Sequence, residues 1–265
     1  MDTPPIFLNT TFVYISVPAD KEKYGEGYSL NSLTDEEFKK FNSSILGLGN
    51  IERKGTYKQV LAAFFDLEGF TDFSNQVDAH LVIAEFLNHY LSWLFSTIAE
   101  VFKEGESDGR VRVWGSLPFY AKFLGDGILF MWDTNLSGGD AGIRNIVGQL
   151  YRITLRYSKE CLPDVRKHVS KPPSRLRCGV ARGQIVSVGD GHDFVGPCLN
   201  IASRLQKIST LSFAVSRRGI DLSKVKAFVL KQVALRGIGS GELIFVIKSE
   251  FDKLPTIEKQ QFKDP

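Results

Sequence analysis

The stretch YKQVLAAFFDLEGFTDFS, residues 57–74, decides how the rest of the chain is read. Its middle, Val60 to Phe65, is a continuous apolar run that ends in Asp66. A run of that length, closed by a charge, reads as a strand buried on both faces. Gly69 then allows a tight turn, and the pattern beyond it predicts a long amphipathic helix from about Asn75 to Phe102. Such a strand delivers one carboxylate at its C-terminal end, beside a helix N-terminus. That arrangement offers a hard oxygen ligand for Mg²⁺ or Mn²⁺ and unpaired backbone N–H groups for phosphate. The plainer reading is an Asp that caps a helix.

Downstream, VRVWGSLPFYAKFL and ILFMW, within 110–132, read as a hairpin turning at Gly125-Asp126-Gly127. A helix is expected from about Asp140 to Cys161. RLRCGVARGQIVSVGD, residues 175–190, reads as a second hairpin turning at Arg182-Gly183. Gly196-Pro197 opens a helix that runs to about Lys207, with Pro in its first turn. LSFAVS is a short strand, and VKAFVLKQVALRGI with ELIFVI closes the sheet. The order β-α-β-β-α-β predicts an α+β, ferredoxin-like fold with a mostly antiparallel sheet and flanking helices. Upstream, residues 1–56 read as an N-terminal appendage. TFVYISV (11–17) is a candidate strand. The capping box of Thr34 and Glu37 starts a helix that Gly47 stops near Leu46. The main domain spans 57–248, and the polar tail 249–265 is expected to fray.

Composition narrows the functional classes. Of 265 residues, 43% are hydrophobic and 24% charged, which excludes a disordered or collagen-like chain. Lys+Arg is 33 and Asp+Glu 30, a formal charge of +3, so no basic excess argues for a nucleic-acid partner. Cys161, Cys178 and Cys198 are odd in number and lack CxxC spacing, which reads as reduced core thiols. No apolar run reaches the ~20 residues that span a bilayer. MDTPPIF has no basic leader pattern, so no membrane contact and a cytoplasmic location are expected.

Two further motifs carry chemistry. KFLGDGILF sets Asp126 at a hairpin tip between two apolar strands. Two carboxylates on strand ends suit a two-metal site in which substrate phosphates supply the remaining oxygens. In LNIASRLQ, Asn200 and Arg204 are four apart and share a helix face. The amide can orient a sugar, and the guanidinium can neutralise charge developing on phosphorus. Taken singly, each of these also fits a turn residue or a solvated helix face.

In this order, FFDLEGFT, KFLGDGILF and DFVGPCLNIASRL resemble the class III nucleotidyl cyclase catalytic domain, over about residues 57–248. LRGIGSGELIFVI also looks like that family's last strand pair. The resemblance implies that Asp66 and Asp126 bind two divalent ions, Mn²⁺ or Mg²⁺, with the carbonyl of Leu67 contributing to one. It places backbone N–H groups of Phe70 and Thr71 on the β- and γ-phosphates, Asn200 on the ribose and Arg204 at the transition state. Lys122 and Asp193 fall at the base-selecting positions. No residue cleanly matches the Lys that often grips the triphosphate, although Arg236 and Glu242 lie nearby. The implied reaction is attack of the ribose 3′-hydroxyl on the α-phosphorus of a nucleoside triphosphate. Metal carboxylates and Asn/Arg come from different copies in this family, so a head-to-tail homodimer with two shared sites is implied, and an inactive monomer.

Lys122 and Asp193 taken literally indicate adenine and ATP. In general look, however, the chain is most similar to the Pycsar-type pyrimidine cyclases of anti-phage defence. That likeness implies cUMP, or else cCMP, as an alarm signal that reaches an effector through the product and not by contact. A pyrimidine pocket needs filling from the protein side, and Tyr57, Arg112 and Tyr120 are candidates. Two other classes fit the residues less well. An inactive cyclase-like binding domain usually lacks one of the four key residues, all present here. An RNA-binding sheet would want exposed aromatics in an RNP pattern. Gly138-Gly139-Asp140 is similar to the GGDEF signature of diguanylate cyclases but lacks the Glu-Phe and starts a helix.

Overall fold

The computed structural model describes residues 12–27, 29–76, 79–208 and 210–265. The chain forms two compact units. The smaller contains residues 1–56 and Val186–Val195. Its described part begins with strands β1 (Ile15–Pro18) and β2 (Ser29–Ser32), paired antiparallel, with helix α1 (Lys21–Tyr24) between them. The strand expected over 11–17 is therefore shorter and later, and Thr11 lies outside the described residues. Helix α2 (Asp35–Lys39) starts with the expected capping box, Thr34 and Glu37 each satisfying the other's backbone. It stops at Lys40, not Leu46. Asn42 then caps a separate 3₁₀ turn, Ser43–Leu46, which left-handed Gly47 ends. Asn at that point competes for the backbone, which splits the helix.

The larger unit contains Tyr57–Ile185 and Gly196–Pro265. Its elements are β3 (Tyr57–Glu68), α3 (Phe70–Ser74), α4 (Ala79–Phe102), β4 (Lys103–Ser107), β5 (Arg110–Val113), β6 (Tyr120–Leu124), β7 (Gly127–Asp133) and α5 (Gly139–Arg156). A π-helical turn, Tyr157–Cys161, leads into α6 (Leu162–Val165). Then comes β8 (Arg175–Val188), whose end from Val186 belongs to the smaller unit together with β9 (Asp193–Val195); the larger unit resumes with α7 (Pro197–Leu205), β10 (Phe213–Ser216), β11 (Phe228–Leu235) and β12 (Gly239–Ile247). The C-terminus adds α8 (Lys248–Phe251), α9 (Thr256–Lys259) and β13 (Phe262–Lys263). The main sheet runs β13-β11-β12-β10-β8-β3-β7-β6, with β9 paired to the end of β8. β10 lies parallel to β8; β3–β7, β6–β7, β10–β12 and β11–β12 are antiparallel.

The α+β, mainly antiparallel architecture agrees with the sequence reading, but four local expectations fail. Residues 175–188 form one strand, not a hairpin turning at Arg182-Gly183. Gly183 serves close packing instead, since a Cβ there would lie 3.0 Å from the Cβ of Cys198. Residues 110–113 leave the β6–β7 hairpin and pair with β4 in a separate two-stranded ribbon. The helix expected from Asn75 is preceded by the short α3, and residues 77 and 78 lie outside the described ones. The polar tail does not fray: β13 pairs with β11, Phe262 is buried, and its ring meets Phe251 edge-on at 5.4 Å.

Strand alternation sorts the sheet into two faces. Leu61, Ala63, Phe65 and Leu67 of β3, Ile128, Phe130 and Trp132 of β7, and Leu176, Cys178 and Val180 of β8 all enter the main core. There they meet α4 through Phe86, Tyr90, Leu94 and Ile98, and α5 through Ile143, Ile146, Val147 and Leu150. The alternate residues of the same strands point to the other face. That face receives α7. Cβ atoms at Gly179 would lie 2.1 Å from the carbonyl oxygen of Ala202, so α7 rests directly on the backbone of β8.

Candidate active site

Asp66 stands near the end of β3, on the face that carries α7. It is only 5% exposed. Its carboxylate is held by Arg177 of β8, whose Nε donates to Oδ2 at 3.1 Å and whose Nη2 donates to the same oxygen. Two residues on, Glu68 repeats the pattern with Arg175, at 2.7 and 3.0 Å. Alternation puts 66 and 68 on one face of β3, and 175 and 177 on one face of β8. Sequence reasoning missed Arg177. The signal was there in the matched i, i+2 charges of FDLE and RLR, but only strand adjacency turns it into a contact.

Asp126 sits at the β6–β7 tip. Leu67 N–H donates to the Asp126 carbonyl at 3.3 Å, which ties the tip to β3 beside Asp66. Burial pushes the Asp66 carboxyl above its ordinary range; Arg177 opposes that, and the negative charge of Asp126 adds to it. The structure thus brings the two expected carboxylates into electrostatic contact. Among the described residues no group of three or more His, Cys, Asp or Glu is poised around a metal.

Gly69, left-handed at φ 85°, turns the chain into α3, whose first residues are Phe70 and Thr71. N–H groups in a first helical turn have no partner within the helix. On α7, Cys198, Ile201, Ala202 and Leu205 are buried, while Asn200 and Arg204 are exposed on the outward side. No hydrogen bond or ion pair engages either side chain among the described residues.

The base-selecting candidates divide. Lys122 pairs with Leu129, which pairs with Phe64; Asp66 pairs with Gly127, one step along. Residues opposite one another in a ladder share a face, so Lys122 lies on the Asp66 face, two strands across and one step along. Strand spacing makes that about 12 Å between Cα atoms. Tyr120 pairs with Met131 and continues the same row of side chains. Tyr57 does not join them. It is nine positions before Asp66, about 30 Å along the strand, in phase with the core-facing residues. Arg112 lies in the β4–β5 ribbon, where its guanidinium binds Glu104 and Ser107. Asp193 begins β9 in the smaller unit, its Oδ1 accepting from the N–H of Phe194 at 2.8 Å. Glu242 is held by Arg218 and by Ser216, so its carboxylate is fully engaged. Gly138-Gly139-Asp140 does open a helix, α5.

No protein-family model and no curated protein matches this sequence. Solved structures do match. The adenylyl cyclase CyaB from P. aeruginosa superposes at a TM-score of 0.56 with 19% identity, over 74% of this chain and 96% of that one. The guanylyl cyclase Cya2 gives 0.55 and 18%, over 74% and 94%. A bacterial light-regulated adenylyl cyclase gives 0.50 and 16%, over 78% of this chain and 55% of that one. The chain therefore carries the fold seen in the catalytic domains of adenylyl and guanylyl cyclases.

Proposed function

We propose that this chain is a metal-dependent nucleotide cyclase, converting a nucleoside triphosphate to a 3′,5′-cyclic monophosphate and pyrophosphate. One observation carries the reading. A single sheet face holds buried Asp66 with Asp126 beside it, and the helix lying on that same face presents Asn200 and Arg204 outward.

The residues fit divalent ions. Two mutually repelling hard carboxylates, one of them buried, are relieved by a cation. With no third His, Cys, Asp or Glu among the described residues to complete a cage, two carboxylates are a donor set that suits Mg²⁺ or Mn²⁺. Asp66, Asp126 and the Leu67 carbonyl would hold two ions, which when bound lower the pKa of a ribose hydroxyl and neutralise a triphosphate. The chain's own groups do the rest. Arg177 opposes the upward push that burial gives the Asp66 carboxyl, and aims it. Phe70 and Thr71 offer N–H groups to phosphate oxygens. Asn200 orients the ribose, and Arg204 stabilises the crowded phosphorus. We take Asn200 and Arg204 of one copy to serve the carboxylates of another, in a head-to-tail homodimer with two equivalent sites. Among the described residues no helix is long and apolar enough to cross a membrane.

For the base, we assign UTP first and CTP second, on the chain's likeness to the Pycsar-type cyclases. With that goes a cytoplasmic alarm signal in anti-phage defence, read by an effector that senses the product. One observation favours ATP as a second reading. Lys122 lies on the sheet face that carries Asp66, whereas two of the three side chains proposed to fill a pyrimidine pocket, Tyr57 and Arg112, do not; the third, Tyr120, does. The test is to incubate the protein with Mn²⁺ and each of ATP, GTP, CTP and UTP, and to resolve products by mass. Cyclic UMP is expected. Cyclic AMP would overturn the base assignment and leave the cyclase standing. No cyclic product from any of the four would end the cyclase reading and favour an inactive binding domain.

A further inference from the structure

Within the larger unit, α7 ends directly on the sheet. A Cβ at Gly179 of β8 would lie 2.6 Å from the N of Gln206, the residue that closes the helix. Gln206 is buried, so that end is seated and not frayed. Two residues back along β8, about 7 Å away on the same face, Arg177 holds Asp66. Lys207 follows Gln206. Its N–H donates to the Arg204 carbonyl at 3.1 Å, so the helix still fixes the backbone at this point. Its side chain is exposed, and no hydrogen bond or ion pair engages it among the described residues. Its charge nevertheless reaches Asp66. Burial pushes that carboxyl up, and both Arg177 and Lys207 oppose the push.

The two cations differ in what they have left to give. Arg177 spends Nε and Nη2 on one oxygen of Asp66. Lys207 keeps its ammonium donors, on a flexible stem. This part of the larger unit therefore offers the carboxylates of Asp66 and Asp126, suited to a divalent ion, and an ammonium suited to an anion. A metal-bound polyphosphate satisfies both at once, with its ion on the carboxylates and its outer oxygens on the cation. We propose that Lys207 is a substrate-binding residue, whose ammonium takes an outer phosphate oxygen of the triphosphate in the same copy that supplies Asp66 and Asp126. The inference rests on the cyclase reading for the identity of that triphosphate. It divides the work of α7: Asn200 and Arg204 serve the carboxylates of the partner copy, and Lys207 those of its own.

The test uses the full chain and inorganic triphosphate as the probe. Titration calorimetry in Mn²⁺ should show binding by the wild type and a Kd about tenfold weaker for Lys207→Met, the low end for a lost bond to a charged group. Lys207→Arg keeps the charge and should recover most of the loss. Both variants should melt with the wild type, because the side chain is exposed. With the best nucleotide, Lys207→Met should raise KM about tenfold and leave kcat nearly unchanged, the mark of a contact made equally before and during reaction. Mixing Lys207→Met with Asp66→Ala, under subunit exchange, decides which copy Lys207 serves. If it serves its own, every site in the mixed dimer carries a defect and no component with the wild-type KM appears. Such a component would assign Lys207 to the partner's carboxylates and overturn the same-copy placement. Unaltered affinity in Lys207→Met, or a wild type that binds no triphosphate in Mn²⁺, overturns the assignment outright. A wild type that binds triphosphate but cyclises no nucleotide sinks the cyclase reading instead, and leaves the polyphosphate site standing.

Discussion

Arg177 gives two N–H groups, Nε and Nη2, to one oxygen of Asp66, its Oδ2. The carboxylate is therefore held through one oxygen, and the other, Oδ1, is left without a hydrogen bond from the described residues. The pair is largely desolvated, with side-chain exposures of 15% and 7%. Its value lies less in net stability than in keeping a buried group charged and aimed.

Removing the guanidinium alone should be costly. Arg177→Met leaves Asp66 buried without its cation, a loss of about 3–5 kcal/mol for a broken buried pair. The sign with pH follows from the raised Asp66 carboxyl. A carboxyl whose folded pKa is raised contributes stability below its unfolded pKa and loses it as pH rises through the folded one. Without Arg177 the pKa rises further, so the penalty should be small at pH 5 and large at pH 8. Urea midpoints at the two pH values check this, and Asp66→Asn in the Arg177→Met background should restore most of the loss. Equal penalties at both pH values would mean that Arg177 does not keep Asp66 ionised.

The seat of α7 on β8 is equally exacting. An Ala at Gly179 would put its Cβ 2.6 Å from the N of Gln206 as well as against the Ala202 carbonyl. Backbone cannot yield there as a flexible side chain would, so Gly179→Ala should cost about 1–3 kcal/mol. Because α7 carries Asn200 and Arg204, turnover should fall more than stability does. Thermal melts alongside initial rates, at a temperature where the variant is fully folded, separate the two. A variant destabilised to that degree with full activity would show that α7's seating does not matter to the chemistry.

The C-terminal strand makes a purely structural prediction. Phe262 is buried against Phe251 at the sheet edge. Phe262→Ala should cost about 3 kcal/mol, the low end for a buried Phe, with the dependence on urea concentration unchanged. A cost below about 0.5 kcal/mol, the size of ordinary surface effects, would mean that β13 is not docked in solution.

What was legible in the sequence and what was not divide along a physical line. Asp66, Asp126, Asn200 and Arg204 could be placed on their elements because each lies in a segment whose local signal is strong. These are an apolar run, a Gly-Asp-Gly tip, and Pro at the start of a helix with four buried positions. One element is misread because a glycine there answers to packing and not to a turn. Gly183 invited a hairpin in the middle of β8 because its reason, the side of Cys198, is fifteen residues away. The break at Lys40 and the docking of Phe262 were likewise decided by competing contacts, one local and one across the sheet. Arg177 was invisible for a different reason. Its importance is a partnership between adjacent strands far apart in sequence, and a charge alternation alone does not say which strands will be neighbours.

The shared-site geometry can be tested without a structure of the assembly. Asp66→Ala removes a carboxylate proposed to hold metal, and Arg204→Ala removes the guanidinium on the outward side of α7. Each alone should be inactive while remaining folded and dimeric. If carboxylates and guanidinium of one site come from different copies, a mixed dimer has one site with both defects and one with neither. Random exchange makes half the dimers mixed, each with one intact site of two, so about a quarter of the wild-type rate should return. Recovery should follow the time course of subunit exchange, measured independently by energy transfer between labelled copies. If instead each copy completes its own site, no mixture of the two variants contains an intact one. Exchange without any return of activity would then count against the head-to-tail arrangement, and with it against assigning Arg204 of one copy to the carboxylates of the other.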